Sequence, residues 1–117
     1  NPDKHRDIEL NRRFALEPLT GSMMFHELVH ALHDRKFGYD NAEIVALFQH
    51  AIRKNPSVQD RCAYRTAPYF QLNPAEYFAT FAEAYFAPIC AFPYDRDTLR
   101  EVDPRSFDFL QSVFGDL

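Results

Sequence analysis

Residues 23–34 read Met23-Met24-Phe25-His26-Glu27-Leu28-Val29-His30-Ala31-Leu32-His33-Asp34. Apolar residues recur through this stretch at helical spacing, on more than one face, which predicts a deeply packed helix. Thr20-Gly21-Ser22 precedes it, with Ser22 placed as an N-cap, and Gly38 follows as a C-cap. The predicted helix therefore spans about residues 23–37. His26 and His30 stand four apart, so their Cβ atoms share one face at about 5–6 Å. At that separation both imidazoles can reach one Zn²⁺ at about 2.0–2.1 Å. Glu27 lies about 100° further round, beside such a metal, where its carboxylate can take a proton from an activated water. The plain alternative is a surface helix with scattered His and Glu. The apolar wrapping argues against it, because buried imidazoles and carboxylates need partners.

Working outward, the chain has 117 residues, enough for one domain over residues 1–117 that buries roughly two thirds of its unfolded surface. Hydrophobic residues make up 46%, including 12 Phe and 6 Tyr, so an aromatic core is available without Trp. The net charge of −4, with basic residues clustered only in pairs, leaves no electrostatic footprint for nucleic acid. No apolar run reaches the length of a membrane span, and no signal sequence is recognised. Asn1 in first place is compatible with an N-terminal truncation. A cytoplasmic location is expected, with secretion or delivery into a host left open. Cys62 and Cys90 fit neither a metal-ligand nor a redox-pair spacing. They are expected as two reduced thiols, a single disulfide being the alternative.

The fold class expected is mainly α. Residues 1–20 hold at most two short strands, 7–10 and 14–17. A second helix, about 42–54, starts at the cap Asn41 and ends at Asn55-Pro56, with His50 near its end as a surface or capping residue. Residues 57–72 read as a loop. Asn73-Pro74-Ala75-Glu76 then opens a third helix, about 74–87. Residues 95–101 form a turn or short helix, and a last helix runs from Asp103-Pro104 to about Phe114.

A catalytic zinc site usually combines three protein ligands with one open position. The third ligand is sought on the third helix, where Glu76, Thr80 and Glu83 occupy one face. Glu76 competes with a capping-box role and Glu83 with a solvated one, so both stay candidates. Asp34, Asp40 and Asp60 are weaker rivals. His33 lacks the spacing of a metzincin ligand; it is expected to support the site or to pack.

The segments His26-Glu27-Leu28-Val29-His30, Asn73-Pro74-Ala75-Glu76-Tyr77-Phe78-Ala79 and Glu83-Ala84-Tyr85-Phe86 together resemble the catalytic core of gluzincin zinc peptidases. The likeness is to the Mlc titration factor A family and to the catalytic domain of anthrax lethal factor and its relatives, over roughly residues 22–115. It implies a zincin-like core with Zn²⁺ held by His26, His30 and Glu76, and Glu27 as the base. It further implies that Tyr69, seven residues before Glu76, faces the scissile carbonyl. In such a site Glu83 and Thr80 are expected to orient an imidazole N–H, with His33 as further support. The expected partner is a peptide or protein substrate. Two other functions stay open at this point: a regulatory or binding module with a structural or vestigial zinc, and an effector protease directed at one host protein.

Overall fold

The computed structural model describes residues 23–38 and 40–115. The possible strands at 7–10 and 14–17 and the Ser22 cap lie outside the described residues. The chain order is α1 (Met23–Leu32), a π-helical turn (His33–Phe37), α2 (Ala42–Lys54), a 3-10 turn (Tyr69–Gln71), α3 (Pro74–Phe86), α4 (Arg96–Val102) and α5 (Pro104–Phe114). The fold is mainly α. Among the described residues the one β pairing is an isolated bridge between Cys62 and Arg65.

Helix starts follow from local chemistry. Asn41, Asn73, Asp95 and Asp103 each accept the backbone N–H three residues on with a side-chain oxygen. Each such cap contributes about 1 kcal/mol. Pro74 and Pro104 sit at the first helical turn, where a missing N–H costs nothing. Gly38, at φ 80°, closes the π-helical turn by donating its N–H to the His33 carbonyl at 2.8 Å. Glycine is the residue that adopts this left-handed backbone without strain.

Helix α3 is the centre of the molecule. Tyr77, Phe78, Ala79, Thr80, Phe81, Ala82, Ala84 and Tyr85 are all buried in it. Helices α1, α2, α4 and α5 pack on it. Helix α1 contributes Phe25, Val29 and Leu32, at i, i+4 and i+7; α5 contributes Leu110, Val113 and Phe114. Edge-to-face aromatic pairs such as Phe25–Phe86 (5.6 Å) and Phe86–Phe114 (5.0 Å) lock these contacts. The buried Tyr77 hydroxyl is satisfied by Ser106 Oγ at 2.6 Å, which in turn donates to Asp103 at 2.8 Å. His26 and His30 each follow a buried residue of the α1 stripe by one position. They therefore sit at its border, against the Glu76–Glu83 side of α3.

The cysteines correct the sequence-based expectation. Cys62 and Cys90 form a disulfide instead of standing as two thiols. They are 28 residues apart and lie in two segments without regular structure, so no periodicity pairs them. The Arg61 N–H also donates to the Cys90 carbonyl at 2.7 Å, binding the same two segments.

Candidate metal centre

Two elements build the site. Helix α1 presents His26 and His30, whose rings meet edge-on with centroids 4.5 Å apart. Helix α3 presents Glu76 near its start and Glu83 two turns later. One oxygen of Glu76, Oε1, stands 3.1 Å from His26 Nε2 and 2.7 Å from His30 Nε2. Its other oxygen, Oε2, accepts a short hydrogen bond from the Tyr69 hydroxyl. The opposite ring nitrogen of His26, Nδ1, is hydrogen-bonded to Glu83 Oε1. The capping-box alternative for Glu76 does not hold for its side chain. Its backbone N–H meets Asn73 Oδ1 at 2.9 Å, while its carboxylate turns inward to the imidazoles.

These residues could hold a metal ion. The three donor atoms of His26, His30 and Glu76 lie within 4.8 Å of one another. Donors about 2.0–2.1 Å from a tetrahedral zinc stand about 3.3 Å apart; the His26–Glu76 gap of 3.1 Å is near this and the His30–Glu76 gap of 2.7 Å is shorter. Two imidazole nitrogens and one carboxylate oxygen are also the donor types zinc takes. The Glu83–His26 contact has the form of the outer carboxylate that orients a ligating imidazole and fixes which nitrogen faces the metal.

The electrostatics reflect tight charge pairing. The Glu83 hydrogen bond raises the pKa of His26 above its ordinary value; burial opposes this, and Glu76 adds to it. Burial pushes the Glu76 carboxyl up, but hydrogen bonds from Tyr69 and His26 outweigh it and hold the group below its usual range. The Tyr69 phenol is pushed up to about 12, chiefly because its proton is shared with Glu76, with burial second.

Of the other residues singled out in the sequence, Glu27 is exposed on α1, one position after His26. Thr80 is buried and lines the same cavity as His26, Tyr69 and Glu83. His33 packs in the core, its ring 5.0 Å from Phe78, and burial lowers its pKa. Asp34 and Asp40 are exposed, and Asp60 is engaged elsewhere. A cavity of about 400 Å³ adjoins His26 and Tyr69; Pro88, Ile89 and Ala91 give it apolar lining, and Tyr64 and Arg65 also border it.

Sequence reasoning held Asp60 only as a weaker rival for the third ligand, and it missed Arg65. Asp60 is buried, and its carboxylate accepts the backbone N–H groups of Tyr69 (3.1 Å) and Phe92 (2.8 Å) and pairs with Arg65. Its partners are mainly backbone groups, which leave no motif in a sequence. Compared with known protein families, curated proteins and solved structures, the chain finds no match.

Proposed function

We propose that the protein is a zinc-dependent metallopeptidase of the gluzincin type. The observation that carries this reading is the inward turn of the Glu76 carboxylate onto both imidazoles of the His-Glu-x-x-His helix. His26, His30 and Glu76 would hold the metal. Zinc bound there supplies Lewis acidity that lowers the pKa of a water from about 15.7 towards about 7.

The chain's own groups do the rest. Glu27, exposed one position after His26, accepts the water's proton and delivers it to the leaving amine. Tyr69 donates its hydroxyl hydrogen to the oxyanion that develops on the scissile carbonyl, a contribution of about 10²–10³ in rate. Its hydroxyl donates to Glu76 Oε2 in the structure, so the hydrogen would pass from that carboxylate to the oxyanion. Glu83 holds the His26 ring, and Thr80 fills the wall beside it. The adjoining cavity, with Pro88, Ile89 and Ala91 along it, suits an apolar substrate side chain. A disulfide next to that cavity suits an oxidising compartment.

The test combines zinc analysis with cleavage of a peptide library, with and without a chelator. Stoichiometric zinc and chelator-sensitive hydrolysis are expected. A protein that binds zinc with no open position and cleaves nothing would be a structural-zinc module instead.

A further inference from the structure

Tyr69 lies on a short 3-10 turn after a long loop, a poor platform for a group that must be held within a fraction of an ångström. The surrounding contacts compensate. Asp60 has a side chain with no solvent exposure, and it carries a full set of partners. Oδ2 takes both the Arg65 guanidinium and the Tyr69 N–H; Oδ1 takes the Phe92 N–H at 2.8 Å. The Asp60 N–H donates to the Thr66 carbonyl at 2.8 Å, closing the loop on itself. Arg65, held by Asp60, stacks over the Tyr69 ring, its guanidinium carbon 4.7 Å from the centroid. One carboxylate thus fixes Tyr69 twice, through its backbone and through the cation on its ring face. Arg65 stacking also favours the orientation in which the phenol reaches Glu76.

We propose that Asp60 and Arg65 are positioning residues that hold the Tyr69 hydroxyl beside Glu76, from where it reaches the reacting carbonyl. This rests on the metallopeptidase reading. Asp60 meets Tyr69 at its backbone, Arg65 meets it at its ring, and Arg65 also borders the cavity beside it; both act through Tyr69.

Asp60→Asn is the discriminating variant. Its amide oxygen can keep the Phe92 N–H, while its NH₂ group now faces two donors, the Tyr69 N–H and Arg65. The test is a double-mutant cycle with Tyr69→Phe on the zinc-loaded protein, read as kcat and KM separately. Asp60→Asn is expected to lower kcat about 10- to 100-fold with KM nearly unchanged. In the Tyr69→Phe background the same change is expected to cost less than about twofold, because the group it positions is gone. Amide hydrogen exchange supplies a readout apart from activity: the Tyr69 amide should lose protection while that of Leu110 in the core keeps it. Should Asp60→Asn fail to fold, Arg65→Met, at a partly exposed side chain, is put through the same cycle with the same expectation. An equal loss in both backgrounds overturns this inference alone, leaving the peptidase standing. Zinc-loaded wild type that cleaves nothing overturns both.

Discussion

Glu83 Oε1 and His26 Nδ1 are hydrogen-bonded across 57 residues of sequence, from the second turn beyond Glu76 on α3 to the start of α1. This contact leaves His26 Nε2 as the nitrogen that faces Glu76 and His30. Its loss frees the ring to rotate and lowers its basicity as a ligand. Glu83→Ala is therefore expected to weaken zinc binding about 10- to 100-fold while leaving three ligands in place. Glu76→Ala would remove a proposed ligand and is expected to weaken it more. Titration against a chromophoric chelator measures both. A larger loss for Glu83→Ala than for Glu76→Ala would exchange the roles of the two carboxylates.

Glu27 is exposed on α1, one position after His26. Replacing its carboxylate by an amide keeps the shape and removes the proposed base. Glu27→Gln is expected to retain zinc at wild-type stoichiometry and to lose hydrolysis by about 10²–10⁴. Metal content and turnover on one preparation decide it; an active Glu27→Gln protein would remove Glu27 from the mechanism.

How far the sequence carried depended on whether the governing interaction is local. Asn41, Asn73, Asp95 and Asp103 announce helices because each cap reaches only three residues. The expected 42–54 helix and the observed Ala42–Lys54 therefore coincide. The change from α-helix to a π-helical turn at His33 has no such local signal. The imidazole pair was legible from spacing alone. Both glutamates were legible as candidates, but only the packing of α1 on α3 separates their contacts. The Cys62–Cys90 bond and the Asp60 hub join loops through contacts without period, so they escape any pattern search.

The paired charges give the metal-free protein a particular pH response. His26 has a folded pKa raised above its ordinary 6.5, so its contribution to stability is complete below 6.5 and is lost as pH climbs through the raised value. Glu76 has a folded pKa held below its ordinary 4.5, so its contribution is present above 4.5 and lost as pH falls through the lowered value. Both contribute fully between these limits. Zinc held by His26 would respond in the opposite sense, since it would compete with protons for the same imidazole. Melting temperatures of chelator-treated protein should decline above 6.5 while the gap to zinc-loaded protein widens. Parallel curves from mildly acidic to alkaline pH would contradict the pairing.

The Cys62–Cys90 bond closes a loop that contains Tyr69, Glu76 and all of Glu83's helix turn. Closing a loop of 28 residues lowers the entropy of the unfolded chain by an amount worth about 3–4 kcal/mol. Reduction should therefore lower the midpoint of denaturant unfolding, with most of the change reproduced by a Cys62→Ala, Cys90→Ala double variant. The native contacts of the core helix do not pass through the sulfurs: Phe81, Tyr77 and Phe78 are held by other rings and by α5. Reduced protein is accordingly expected to remain folded and helical at low temperature, as circular dichroism would record. The Asp60–Tyr69 and Arg61–Cys90 hydrogen bonds still tie the loop after reduction, so zinc affinity should fall by less than it does in Glu83→Ala. Loss of helical signal on reduction alone would mean that the disulfide, and not the aromatic packing around α3, is what holds this fold.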